Sequence, residues 1–521
     1  MGFNDLRKKN SSSSATDGSV TTTITGPLTS FGDVQVASLT PVAQGDFVYS
    51  VNEKIFSPRG FAGGTVSQAN GMAEITSGTD PAGSATVQTR RGLKYRPGQG
   101  SLMRATALFD TPDAGNAQFI GCGNSECGYF IGYFGEFFGI LHNSKALRHI
   151  VALQITAAAG TEDIDIELNG YTTTISVVGG GNIPQTAYEI SKGDFSQVGV
   201  GGWLSDVVGD TVYFISARAI ATTGAFSITP VGGGTVAGTF QPTIQTGTPA
   251  TSETQQFYPQ SAFNIDKLDG TGPSGMILDP QMGNVYQIGF QYLGFGNARF
   301  GIEDPETGRL FDFHMINNAN NRTFPVLKNP NVSILATSAN IGGTIPTTLR
   351  TASMAGYVQG QIINLDPTFA KTFSITTNSI NYVVAAIFKV NRVFNDQSCF
   401  GELDLLQLAV GNGTSTLTVG LFISEELQGE NVNFVNLEED VSTVSYAFGP
   451  TGTGSSSGVF GPWTPSSNPI YEMTIGTNAA RTEVFNPNRF VISAGEHLVV
   501  AVKSGGGATD CQISLNWFEQ Q

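Results

Sequence analysis

Residues 286–316, YQIGFQYLGFGNARFGIEDPETGRLFDFHMI, constrain the fold more than any other stretch of the chain. Tyr286, Ile288, Phe290 and Tyr292 alternate with Gln287, Gly289 and Gln291, the period of two that sends one face of a strand into a core. After a Gly294-Phe295-Gly296-Asn297 turn, Phe300 and Ile302 resume the alternation. The Asp304-Pro305-Glu306-Thr307-Gly308 turn leads into a third strand, with Phe311, Phe313 and Met315 expected inward and Asp312 and His314 outward. Three antiparallel strands with one aromatic face form a meander that a second sheet must cover. The expected fold is therefore mainly β, built from antiparallel sandwiches.

The surface implied by composition fits that fold. Charged residues make up 13% of the chain, roughly half of the about 25% usual in soluble domains, while Gly (65) and Phe (35) are abundant. A net charge of −16 argues against a nucleic-acid partner, because neutralising phosphates needs clustered cations. The one dense basic run, Arg90-Arg91-Gly92-Leu93-Lys94-Tyr95-Arg96, reads as a solvated edge or an intersubunit salt-bridge partner. No run of eighteen apolar residues is present and the N-terminus lacks a signal-peptide core, so membrane insertion is not expected.

In chain order, residues 1–30 are Ser/Thr-rich and without periodicity, and read as a flexible arm that anchors the body to another protein. Residues 31–147 form the first part of a sandwich and residues 258–365 the second. The aromatic, glycine-punctuated run 128–142 is core or a ligand platform. Between them, residues 148–257 read as an inserted α+β subdomain. It holds a hairpin over 162–177 turning at Asn169-Gly170, the type I′ dipeptide, and a helix over 184–198. Residues 366–521 form a second, C-terminal sandwich, with strands expected at 381–390, 405–410, 416–423, 441–448, 489–502 and 511–518. The last strand sends Cys511, Ile513, Leu515 and Trp517 to one face.

The segments FGDVQVASLTPVAQGDFVYSVN, RRGLKYRPGQGSLMRATALF, YFIGYFGEFFGILHNS, NVYQIGFQYLGFGNARFGIEDPETGRL, TASMAGYVQG and ISLNWFEQQ occur in that order. Together they resemble a family of structural proteins encoded by marine bacteriophages and large algal viruses, over most of residues 31–521. The resemblance implies a virion component, and the central sheets look like a concanavalin-like jelly roll. Fold alone does not confer sugar binding.

Metalloprotease and nucleotide-binding motifs are missing from the sequence: it holds no HExxH and no phosphate-cradling loop. Cys122 and Cys127 with His142 and His149 have the wrong spacing for zinc. Asp163, Asp165 and Glu167 on one strand face suit Ca²⁺ or plain solvation, and Glu303 with Asp304, or Glu402 with Asp404, are the candidates for a glycosidase pair. The expectation is a non-enzymatic virion protein with no cofactor and no metal. It self-associates as a homotrimer and reaches other virion proteins through its arm and host-surface glycans through Tyr129, Tyr133, Phe134, Phe295 and Asn297. The alternatives are a capsid decoration protein and a glycan-cleaving tailspike.

Overall fold

The computed structural model describes residues 38–96, 98–178, 182–360, 367–423, 432–449, 463–486 and 489–520. The expected arm over 1–30, and Asp366 at the expected second boundary, lie outside them. The meander is present as Asn284–Phe290, Ala298–Glu303 and Leu310–Ile316, paired in sequence order. Its third strand departs from simple alternation. Phe300 pairs with His314 and Gly301 with Asp312, so Phe313 is the extra residue of a β-bulge. The bulge reverses the parity that follows: His314 and Ile316 turn into the core and Met315 turns outward, opposite to the sequence expectation for His314 and Met315.

This meander forms half of a six-stranded sheet, ordered Leu39–Asp46, Ser353–Gln359, Ser101–Ala107 and then the meander. A seven-stranded sheet covers it, ordered Gln255–Pro259, Phe137–Asn143, Gly128–Phe134, Asn116–Gly123, Ser333–Asn340, Ser84–Thr89 and Phe56–Phe61. One core lies between the sheets, with Phe109 edge-on to Tyr133, Phe138 and Tyr286 at its centre. Strand neighbours far apart in sequence give the jelly-roll type of sandwich expected.

Residues between Ile150 and Phe240 build two further sheets. One is ordered Trp203–Val208, Thr211–Ser216, Ile150–Ala157, Ala237–Phe240; the other Tyr171–Val177, Glu162–Leu168, Ser227–Pro230. The hairpin turns where expected, at Asn169 (φ 55°) and Gly170 (φ 82°), and Asn169 Oδ1 accepts from the Thr223 and Gly224 amides. A Cβ at position 170 would meet only Gly224 Cα, at 3.9 Å. Gly170→Ala is therefore expected to cost only the left-handed backbone strain, about 1–2 kcal/mol in urea unfolding; a variant as stable as wild type would remove the type I′ account of this turn.

The helix is shorter than expected, Ile183–Ser191, capped by Asn182 Oδ1 on the Gln185 amide, with Pro184 in its first turn. It ends ahead of Gly193-Asp194, and Phe195 and Val198 leave the helical path to enter the core from a loop.

The C-terminal part is a second sandwich. A five-membered sheet joins Thr368–Thr377, Thr509–Gln520, Glu402–Asn412 and Ala480–Val484, with Val491–Ser493 also on Glu402–Asn412. A six-stranded sheet faces it: Val435–Asn436, Val444–Phe448, Val383–Val390, His497–Ser504, Leu417–Ile423 and Tyr471–Ile475. The single strand expected over 489–502 is two strands in different sheets, broken at Gly495 (φ 83°).

The insertion shares its core with the C-terminal sandwich. Leu153, Ile166, Ile190 and Phe214 of the insertion share one buried cluster with Val384, Ile387, Phe422 and Val499 of the C-terminal sandwich. The strand Val383–Val390 is buried on both faces because it serves this cluster on one side and the sandwich's own core on the other. Lys389 crosses the junction to pair with Asp206, and residues from Thr40 onward form one compact unit.

Candidate functional site: a cationic cavity

The residues expected to meet glycans are not brought together. Tyr129 and Tyr133 lie in the first sandwich's core, Tyr129 fully enclosed and Tyr133 nearly so. Phe134 is 37% exposed at one end of the strand Gly128–Phe134, against Phe257. Phe295 is 42% exposed and belongs to a loop tied to Val326, whose carbonyl contacts His142 near the other end of that strand pair. Asn297 is exposed, but its Oδ1 accepts from the Asn318 amide at 2.8 Å. A seven-residue strand spans roughly 20 Å, so Phe134 and Phe295 stand at opposite ends of the sheet.

Other candidates are spoken for by neighbours. Asp163 and Asp165 accept from Ser176 and Thr174, and Glu167 accepts from Ser227, so this acidic face is bonded to adjacent strands. Asp304 closes its own turn on the Glu306 amide and Thr307 hydroxyl. Burial pushes the Cys122 thiol up to about 12 and that of Cys127 up to about 11, which keeps both protonated.

His142 is held neutral by geometry. Its Nε2–H donates to the Val326 carbonyl (2.8 Å), and Nδ1 accepts from Arg322 (3.0 Å) while the ring stacks on Tyr129. Burial pushes its pKa down to about 4. The unfolded chain then binds a proton that the folded chain refuses, so this contribution is complete above about pH 6.5 and is lost as pH falls toward 4. Urea unfolding between pH 7 and 4 is expected to lose on the order of 3 kcal/mol through this group, and His142→Gln should flatten that part of the profile. An unchanged slope in the variant would assign the acid sensitivity elsewhere.

The concave feature that the structure does assemble is a cavity of about 530 Å³. Its floor is the outer face of the seven-stranded sheet, where Arg59, Thr86, Leu335 and Thr337 project away from the core. Leu204 and Arg218 of the insertion and Arg392, Phe400, Glu402 and Glu496 of the C-terminal sandwich complete its walls. Six cationic side chains line it, Arg59, Arg90, Lys94, Arg148, Arg218 and Arg392, against two carboxylates, Glu402 and Glu496.

Both carboxylates are engaged. Glu496 pairs with Arg90 and accepts from the Ser493 amide. Glu402 lies 3.3 Å from Lys94 Nζ and accepts from the Gly92 amide at 2.9 Å. Within the basic run, Arg90 and Lys94 are not a solvated edge: they clamp the C-terminal sandwich of their own chain, and Arg91 donates to the Arg489 carbonyl. Sequence reading missed the site because these partners lie more than 300 residues away. The signal available was parity, since Arg90, Gly92 and Lys94 share one face.

The remaining arginines are held by weaker means. Arg148 Nε lies 3.9 Å from Glu126, whose other oxygen is taken by Lys328 at 2.8 Å, and its guanidinium covers the Phe400 ring. Arg218 donates to the Ala82 and Asn340 carbonyls. Arg392 lies over Gly495, where any side chain would collide with it. Arg59 makes a 3.4 Å contact with Ser57 Oγ. Burial lowers the pKa of Arg59, Arg148, Arg218 and Arg392, and Arg59 adds repulsion to Arg90, Arg148 and Arg392.

No family model matches the chain, and no curated protein matches it. Among solved structures it aligns with a protein described by the triple jelly roll fold and turret assembly in an archaeal virus, at 10% identity over 94% of this chain and 98% of that one, with a TM-score of 0.13. It also aligns with the Faustovirus major capsid protein, at 8% identity over 92% and 90% of the two chains, with a TM-score of 0.09.

Proposed function

We propose that the chain is a non-enzymatic structural protein of a virion, a self-associating β-sandwich component of the particle surface. The observation that carries this reading is an apolar end on the first sandwich. Phe137 (67% exposed) opens its strand at that end, and Ile277 (77%), Met282 (64%) and Ile345 (57%) lie on nearby loops. Asn116 ties two of the loops together through the Gly135 amide and the Ile345 carbonyl, and the Phe109 amide bonds Pro280. A cluster of exposed large apolar side chains on a protein with so few charges marks a surface built to be covered. A second copy in a homotrimer is the proposed cover, with residues 1–30 reaching other virion proteins and host-surface glycans bound by the assembled surface.

Light scattering on the purified chain tests self-association: a trimer that Phe137→Ser with Ile345→Ser reduces to monomers supports the reading, and a wild-type monomer at high concentration overturns it. Antibody labelling of intact particles tests the location. Label on the shell points to decoration, and label confined to a vertex or fibre points to attachment.

A further inference from the structure

We propose that the cavity between the seven-stranded sheet, the insertion and the C-terminal sandwich binds a compact multivalent oxyanion, phosphate-bearing or polycarboxylate, which ties the three parts together. This inference is independent of the virion reading.

Charge carries the argument first. The lining holds six cations and two carboxylates, in a chain whose net charge is −16. Both carboxylates are already paired, by Arg90 and Lys94. Arg59 and Arg218 form no ion pair among the described residues, and their bonds go to a hydroxyl and to main-chain carbonyls. Guanidinium stays protonated in proteins, so this excess charge is permanent. Holding it away from bulk water is costly unless an anion sits nearby.

Origin and shape carry it further. Arg59 comes from the first sandwich, Arg218 from the insertion and Arg392 from the C-terminal sandwich, with Arg148 at the entrance to the insertion. An anion touching these groups contacts every part of the fold at once. Arginine presents a planar fork of donors matched to phosphate and carboxylate oxygens, and several forks around one space suit a ligand with more than one negative charge. The volume lies in the range of small-molecule sites, and the Ser57 hydroxyl, which accepts from Arg59, keeps its own proton to donate along the floor. Phosphate and carboxylate share this chemistry, and the two arms of the test separate them.

The test uses the full chain, dialysed exhaustively into chloride buffer. It is titrated calorimetrically with pyrophosphate in one arm and citrate in the other, at ionic strength fixed with sodium chloride. One saturable site per chain is expected, together with a thermal midpoint that climbs with ligand concentration, as for any ligand that binds only the folded state. Saturation by pyrophosphate alone assigns a phosphate-bearing ligand, by citrate alone a polycarboxylate, and by both a site selective for charge. Arg59→Gln should weaken binding at least tenfold. In chloride alone it should melt at or above the wild-type temperature, because it removes a repelling cation; a merely structural arginine would lower the midpoint in both conditions.

Absence of saturable binding in both arms overturns the proposal, as does Arg59→Gln binding with wild-type affinity, which would place the anion elsewhere. Should Arg59→Gln fail to fold, Arg59→Lys keeps the charge and loses the fork: at least threefold weaker binding supports the site, and unchanged affinity overturns it.

Discussion

Asp206→Asn is expected to lower the unfolding free energy by about 3–5 kcal/mol, the usual cost of removing one partner from a buried ion pair. Asp206 lies on an insertion strand and Lys389 on a strand of the C-terminal sandwich, and both side chains are almost fully buried. One carboxylate oxygen accepts from Lys389 Nζ and the Val207 amide, the other from the Arg392 amide at 2.6 Å. The ammonium also bonds the Val207 carbonyl and lies over the Phe434 ring. In the asparagine variant that ammonium stays buried with no counter-charge. Burial already lowers the Lys389 pKa, and Asp206 is what raises it back, so the variant lysine would be driven toward its neutral form.

Lys389→Met supplies the complementary single change, and the pair of changes closes a cycle. Two apolar or neutral groups in place of the ion pair should restore part of the loss, with a coupling above about 1 kcal/mol. Equilibrium urea unfolding followed by circular dichroism reads all four proteins. Because the insertion and the C-terminal sandwich share a buried cluster, the loss should appear in one transition covering both. An early, separate transition of the insertion, or additive single changes, would show that the junction is a loose contact between independent bodies.

The parts of this fold legible in the sequence are those whose pattern is local. The meander over 286–316 and the Asn169-Gly170 hairpin show their strands and turns within a few residues, and both form. What fails is whatever depends on a partner strand. The Phe313 bulge exists because of how Leu310–Ile316 pairs with Ala298–Glu303, and only the pairing reverses His314 and Met315. Tyr129 and Tyr133 look like an aromatic platform, but Gly128–Phe134 is buried nearly throughout, with the core on one side and Phe119, Leu141 and Leu335 on the other, so alternation cannot rank its faces. The cavity was the least legible feature. Its charges come from segments between positions 59 and 496, and each alone looks like ordinary surface.

Trp517→Ala is the second large effect, expected at about 3–5 kcal/mol. The alternation over 511–517 placed this indole inward, and it is almost fully buried in the C-terminal core, 5.4 Å from the Phe388 ring. Two terms add in the alanine variant. The packed ring leaves a void that Leu405 and Phe369, its cross-strand neighbours, fill only by moving. The indole N–H also stops donating to Glu519 Oε1 (2.9 Å), a buried carboxylate that otherwise accepts from the Ser442 hydroxyl and the Thr443 amide.

Trp517→Phe separates the terms, because it keeps most of the apolar volume and loses the donor. It should cost about 1–3 kcal/mol, the penalty for leaving a buried acceptor one bond short, and Glu519→Gln in the phenylalanine background should change that cost, since it changes what the acceptor needs. Chemical denaturation gives each value. If the alanine variant fell within 1 kcal/mol of wild type, the ring would not be part of the core, and the inward face read from the last strand would be wrong. If phenylalanine cost as much as alanine, the hydrogen bond to Glu519 rather than packing would hold the end of the five-membered sheet against the loop at Ser442.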